Sequence, residues 1–281
     1  CRRQSRRLPM LKTRIATAIG LLAVLLPSLF LLTQVQWALL MAAATAIAAW
    51  EWGGLVQWAS GKRVAYGIAL GLLAVGLTVG RPQLVEVTQT DEAIALYLPA
   101  LAFWLLVVPL WLRFKWPGRV GGAIVGLLVL LPAWLAIVQL RVLGPGVLLA
   151  ILAVVWLADI AAYFAGKTWG RHKLAPTVSP GKTWEGAIGA GIAVMLYGLA
   201  LRHGLFGGEG SLLVWLPGLV LVTAVSILGD LFESLLKRQA GLKDSSTILP
   251  GHGGVLDRID SLTSTLPTVA CLWLLSGRAG G

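Results

Sequence analysis

Apolar residues in this chain fall into long runs instead of alternating with polar ones. Nine runs stand out, near Ile15–Leu32, Trp37–Trp58, Val64–Val79, Ala93–Leu112, Val120–Val138, Gly146–Phe164, Gly186–Leu201, Leu212–Gly229 and Ser261–Leu275. Most have the length that a helix rising about 1.5 Å per residue needs to cross a hydrocarbon core of about 30 Å. The third is short and glycine-rich, and the eighth is expected to continue past the membrane. The period-two pattern of a membrane β-barrel is absent. The pattern predicts an all-α polytopic membrane protein with about nine transmembrane helices.

Composition removes the soluble alternative. With 57% hydrophobic residues, 12% charged and a mean hydropathy of +0.82, a fold of 281 residues could not hide its apolar surface from water. The formal charge of +11 is not a nucleic-acid signal, because no basic helix or aromatic stacking platform accompanies it. Lys and Arg sit instead in short loops, where they set topology. One set of alternate loops carries 19 of the 23, and the other holds only Arg81, Arg141, Arg202 and Arg278. By the positive-inside rule the rich set, with the N-terminus, faces the cytoplasm. Gly67, Gly71, Gly76 and Gly80 form a small-residue face suited to helix packing or a subunit contact. Trp37, Trp50, Trp52, Trp111, Trp116 and Trp215 read as interfacial belts. Cys1 and Cys271 lie at opposite ends of the chain, so neither a disulfide framework nor a zinc site is expected. Residues 1–9 precede a start-like Met10 and read as a basic leader. Residues 10–281 read as one transmembrane domain with its catalytic region at 156–264.

Polar chemistry concentrates in two segments on the basic side. In the later one, Asp230, Glu233, Ser234 and Lys237 follow the i, i+3, i+4, i+7 spacing of one helix face, and Asp257, Asp260, Ser261 and Ser264 repeat it. Two helices can thus present carboxylates to each other near the membrane boundary, where an unpartnered carboxylate is costly. A hard divalent cation, Mg²⁺, is the natural partner. Between them lies Pro250-Gly251-His252-Gly253-Gly254, where glycines let backbone N–H groups approach an anion, with Lys237, Arg238, Lys243 and Arg258 around it. In the earlier segment, Asp159 and Tyr163 share a face, and Ser179-Pro180-Gly181-Lys182-Thr183 reads as a loop that starts the seventh helix. Lys182 and free N–H groups there would face an anion. It is not a Walker loop, since Pro176 stands where the first glycine should be. His172, His203 and His252 have no metal-ligand spacing.

Ser234-x-x-Lys237-Arg238, Lys243-Asp244 and Pro250-x-His252-Gly253-Gly254-x-x-Asp257-Arg258-x-Asp260 together resemble the signature of the phosphatidate cytidylyltransferases, also called CDP-diacylglycerol synthases. Ser179-Pro180-x-Lys182-Thr183-x-Glu185-Gly186, the Met10-Leu11-Lys12-x-Arg14 start and Glu51-Trp52 carry the likeness along the chain. The resemblance implies transfer of the cytidylyl group of CTP to phosphatidic acid, with Mg²⁺ and room for a second metal ion. The protein would sit in a bacterial-type inner membrane as a homodimer. On that reading Asp230, Asp257 and Asp260 hold the metal, and Lys237 and Arg258 join them in catalysis. Asp159, Ser179, Lys182, Thr183, Glu185, Ser234, Arg238, Lys243, Asp244, His252, Gly253 and Gly254 line the substrate site. The competing expectations are a CTP-dependent polyprenol kinase and an ion-coupled transporter. The latter usually binds its cargo near the midplane, not at one surface.

Overall fold

The computed structural model describes the backbone of residues 7–86, 91–208 and 211–279, and the side chains of 15–86, 92–208 and 211–276. Cys1, the side chains of the basic leader 1–9, Glu209 and the side chain of Arg278 lie outside the described residues. The helices are α1 (Arg7–Leu31), α2 (Gln34–Leu55), α3 (Ser60–Gly80), the short α4 (Pro82–Glu86), α5 (Asp91–Ala102), α6 (Val108–Phe114), α7 (Gly122–Val142), α8 (Pro145–Trp169), α9 (Trp184–Gly204), α10 (Leu212–Ala240) and α11 (Leu256–Ala279). Between α8 and α9 runs a hairpin of β1 (Lys173–Ala175) and β2 (Ser179–Thr183). A wide π turn at Phe103–Val107 joins α5 to α6, so that 92–114 is one continuous apolar helix. Pro109, which has no N–H to donate back to residue 105, lies just after this turn.

Each predicted apolar run lies mostly within a helix. Among the described residues, seven helices are long and apolar enough to span a bilayer. The apolar part of α1, Ile15–Leu31, is shorter than these. Helix α11 carries Asp257, Arg258, Asp260 and a run of buried hydroxyls that dilute its hydropathy. The molecule is a multi-pass membrane protein, and its exposed side chains include many large hydrophobics that lipid would cover (Ile68, Leu72, Val79, Leu106, Ile124, Leu196).

Two sequence expectations change. Trp37, Trp52 and Trp111 are buried, not interfacial. The Trp52 indole N–H donates to the Gly122 carbonyl at 2.8 Å, and Trp37 reaches the Ile137 carbonyl at 3.3 Å, so each ties α2 to α7. Trp52, Phe103, Trp104 and Trp111 all pack edgewise or tilted on Phe232 of α10. The helix packing expected of the α3 glycine face occurs within the chain. A Cβ on Gly67 would meet the Ala46 carbonyl at 2.8 Å, and one on Gly71 the Ala46 methyl at 2.9 Å, so α3 lies tight against α2. Only Gly76 and Gly80 meet nothing.

Arg141, expected in a loop, is instead buried in the last turn of α7. Its guanidinium donates to the Leu29 carbonyl (2.9 Å), the Gln34 side-chain oxygen (3.1 Å) and the Leu32 carbonyl, and its face lies on the Trp37 ring. Beside it Gln34 donates to the Val85 and Val138 carbonyls, Gln139 to Leu84, and Tyr97 to Gln139. Side-chain amides and a guanidinium thus satisfy the carbonyls freed where helices end, which is what a buried polar cluster requires.

Candidate active site

The other end of the bundle gathers the charged residues. Ser179–Thr183 is a strand rather than a loop. It pairs antiparallel with β1, Lys173 opposite Thr183 and Ala175 opposite Ser179. The strand ends at Thr183, whose side chain caps α9 by accepting the Gly186 N–H at 3.1 Å. The Thr183 hydroxyl is therefore committed to the fold, although it borders the cavity described below. Glu185 is likewise occupied: its carboxylate accepts the His172 backbone N–H at 3.2 Å and lies 2.7 Å from the His172 ring nitrogen, closing the base of the hairpin. Held this way, β2 projects Lys182 across to α10, where its ammonium meets the Asp230 carboxylate at 2.5 Å. That pair joins the two charge-rich segments, which lie about fifty residues apart in the sequence.

Beneath the hairpin, α8, α9 and α10 enclose a cavity of about 480 Å³. Its lining includes the polar Asp159, Lys167, Ser179, Lys182 and Asp230 and the apolar Ala158, Ala162 and Ala190. Small residues on α8 and α9 make the close packing beside it possible. A Cβ on Gly186 would stand 2.8 Å from the Ala162 carbonyl.

Helices α10 and α11 approach closely at Gly229. A Cβ there would lie 2.6 Å from the Ser264 hydroxyl and 2.8 Å from the Asp260 carbonyl. This contact sets Asp230 beside Asp260. Asp230, Asp260 and Asp159 lie within electrostatic range of one another, and Ser234 donates to Asp230 at 3.2 Å. Two turns further along α10, Lys237 bridges Asp257 at 2.7 Å and Glu233 at 3.2 Å. The predicted helical faces are thus real.

Asp230, Asp257 and Asp260 are not gathered into one three-carboxylate cluster. Among the described residues no three His, Cys, Asp or Glu side chains sit as a ligand cluster. Asp257 is the reason: one oxygen takes Lys237, and the other accepts the Ser245 N–H (2.7 Å), the Ser245 hydroxyl (2.9 Å) and the Gly254 N–H (2.8 Å). Burial works against its charge, but Lys237 and these donors outweigh burial and hold its carboxyl below the usual range. Asp257 organises the loop before α11. Asp230 and Asp260, with Asp159 near, offer carboxylate oxygens of the kind a hard cation takes. Mg²⁺ characteristically takes one or two carboxylates and completes its shell with substrate phosphates.

The glycines also have a different role from the one expected. Gly253 (φ +84°) would place a Cβ 2.6 Å from the Asp257 carboxylate, and a Cβ on Gly254 would collide with both Glu51 and Ser245. These two glycines make room for protein carboxylates, and the Gly254 N–H is spent on one of them. His252 stays at the loop tip with a buried, unpartnered Nδ1. Arg238, Lys243, Asp244 and Arg258 are exposed around this end, and none lines the cavity.

Three residues that the motif reading did not assign to the site carry weight here. Glu51 of α2 is fully buried and accepts hydrogen bonds from the loop. Glu233 is buried against Lys237, and Ser245 links Glu51 to Asp257. The signal available for Glu51 was its position inside an apolar span, where a carboxylate must find partners.

A multi-pass α-helical membrane protein with a carboxylate-rich, lysine-bearing site at one end of its bundle is the class that these observations define. The chain belongs to the cytidylyltransferase family, whose model matches residues 12–275. It is similar to a protein of Pseudomonas aeruginosa named phosphatidate cytidylyltransferase, at 46% identity over 95% of this chain and 98% of the relative. A Haemophilus influenzae protein of the same name is 34% identical over 92% of this chain and 96% of its own length. One from Brucella suis is 53% identical over 114 residues, 40% of this chain and 41% of that protein.

Proposed function

We propose that this protein transfers the cytidylyl group of CTP to the phosphate of phosphatidic acid, forming CDP-diacylglycerol and releasing pyrophosphate. The observation that carries the reading is the Lys182–Asp230 pair. It lines a cavity that offers charged groups for phosphates together with apolar surface from membrane helices. A substrate that is half headgroup and half hydrocarbon matches such a cavity. Family membership and the names of the full-length relatives support the same chemistry.

The lipid phosphate is an anion at neutral pH, so it needs no general base. One of its oxygens bonds to the α-phosphorus of CTP as the bond to the bridging oxygen of pyrophosphate breaks. What such a reaction requires is in-line positioning of two mutually repelling anions. Lys182 supplies positive charge at the cavity. Lys243, Arg238 and Arg258 offer an exposed basic rim, and His252 and the adjoining loop flank the nucleotide. Asp230 and Asp260 would hold Mg²⁺, which neutralises phosphate charge when bound. The basic loops support placing this end in the cytoplasm, where CTP is found, with the protein in the inner membrane of a bacterium. Gly76 and Gly80 remain available to a second copy in a dimer.

Purified membranes supplied with α-³²P-labelled CTP, Mg²⁺ and phosphatidic acid should yield labelled lipid on extraction. Label that enters lipid from γ-labelled CTP, and never from α-labelled CTP, would make the protein a lipid kinase instead. Label in neither case would overturn both readings.

A further inference from the structure

Glu51 is separated from the catalytic loop by about two hundred residues, yet its carboxylate is built into it. One oxygen accepts the Ser246 hydroxyl at 2.6 Å and the Val255 N–H at 3.0 Å. The other accepts the Leu256 N–H at 2.6 Å and lies 3.2 Å from the Ser245 hydroxyl. Three neutral donors, Ser246, Val255 and Leu256, therefore serve one buried carboxylate, and the single Ser245 proton lies between it and Asp257. Two of those donors are backbone N–H groups at the start of α11, where a helix leaves its first amides without partners.

The contacts fall at the two ends of the loop. Ser245 and Ser246 open it, and Val255 and Leu256 close it. The residues between them fold into a turn pinned by the Leu249 N–H on the Gly253 carbonyl (2.8 Å) and the His252 N–H on the Leu249 carbonyl (2.9 Å). Both stems of the turn that carries His252 are thus fastened to one side chain of α2. Helix α2 is itself anchored to α7 through Trp52, the next residue, and to α3 through Gly67 and Gly71. Gly254 has no room for a side chain because Glu51 stands where its Cβ would be.

We propose that Glu51 is a positioning residue for nucleotide binding: it clamps both stems of the 245–256 loop and so fixes the place at which the loop meets CTP. The inference rests on the reading of that loop as part of the nucleotide site. The neighbouring carboxylate, Asp257, cannot replace it, since its oxygens already serve Lys237, Ser245 and Gly254. A glutamine at position 51 keeps the size of the side chain but turns one acceptor into a donor. That NH₂ would then face backbone or hydroxyl donors whichever way the amide turned, leaving buried groups unsatisfied.

The test is steady-state kinetics of the full chain in mixed micelles, with CTP and phosphatidic acid varied separately, for E51Q and for H252A. Elution and thermal midpoint in detergent report the fold. The expected result is a KM for CTP raised at least about tenfold in E51Q, with the KM for phosphatidic acid within about twofold. H252A, which touches the loop tip alone, should also raise the KM for CTP. If H252A raises it and E51Q does not, Glu51 has no positioning role and the nucleotide loop stands. If neither moves it, the loop is not the nucleotide site and both statements fall. Equal changes in both KM values, or a loss of kcat alone, would make Glu51 a general structural residue and overturn the inference. Should E51Q fail to fold, S246A removes one donor to Glu51 and decides the matter. About a twofold to threefold rise in the KM for CTP supports the clamp, and an unchanged value rejects it.

Discussion

At one end of the bundle a single guanidinium, Arg141, is wrapped by the Leu29 and Leu32 carbonyls and the Gln34 amide, with Trp37 against its face. At the other end of α2, roughly 25 Å away by helical rise, Asp159, Asp230, Glu233, Asp257 and Asp260 crowd around Lys182 and Lys237. The Arg141 cluster matches neutral acceptors to donors, and its chemistry is complete within the protein. The Lys182 end gathers ionisable groups of both signs beside a cavity, Lys167 among them. A buried charge without a full complement of partners is expensive, and a protein retains such an arrangement where a ligand completes it. Position relative to the membrane does not separate the two ends, since both sit where helices emerge. The cavity does.

That contrast can be broken at several points. The largest effect is expected for Asp230→Asn. Cytidylyl transfer should fall by about a thousandfold, as for loss of a group that organises phosphate charge. The thermal midpoint should shift by less than roughly 5 °C. Near-normal turnover would make the carboxylate cluster a structural feature like its counterpart. Next comes Gly229→Ala. The added methyl would press on Ser264 and the Asp260 carbonyl and move Asp230 away from Asp260. Activity per folded molecule should fall about tenfold to a hundredfold, together with a stability loss of about 1–3 kcal/mol. A loss of stability alone would show that the spacing of these two carboxylates is not critical. The smallest effect on turnover belongs to Arg141→Met. It should cost about 2–4 kcal/mol of stability, because several buried carbonyls lose their donor, yet leave specific activity within about twofold. Heat inactivation and turnover measured on the same preparation separate the two. Slowed chemistry in a folded Arg141 variant would show that the ends are coupled.

Corrections to the sequence reading collect where a side chain has more than one physically sensible use. Gly253 and Gly254 read as a phosphate cradle, because glycine permits close approach of an anion; the anions they admit are Asp257 and Glu51. Asp257 shares a helix face with Asp260, which suggested a metal ligand, but its second oxygen turns back to the loop that precedes it. Thr183 and Glu185 stand in a motif with Lys182, yet only Lys182 reaches across to α10, while the other two cap a helix and close a hairpin. Spacing tells which residues share a face, not which partner each one meets. The tryptophans erred in the same way, since a ring suited to the membrane interface is equally suited to a helix–helix contact with its N–H on a carbonyl.

From the sequence alone came the membrane-spanning helical character, the approximate position of nearly every helix, the two charge-rich segments, the family and the pairing of α10 with α11 through i, i+3, i+4, i+7 faces. These follow from local periodicity and apolar length, which a single chain segment carries by itself. Only the tertiary structure decided that Lys182 meets Asp230, that Arg141 is buried, that Asp257 is spent on its own loop and that Glu51 fastens that loop from α2. Those outcomes depend on which distant donors and acceptors packing brings within about 3 Å, and a hydrogen bond has no sequence period.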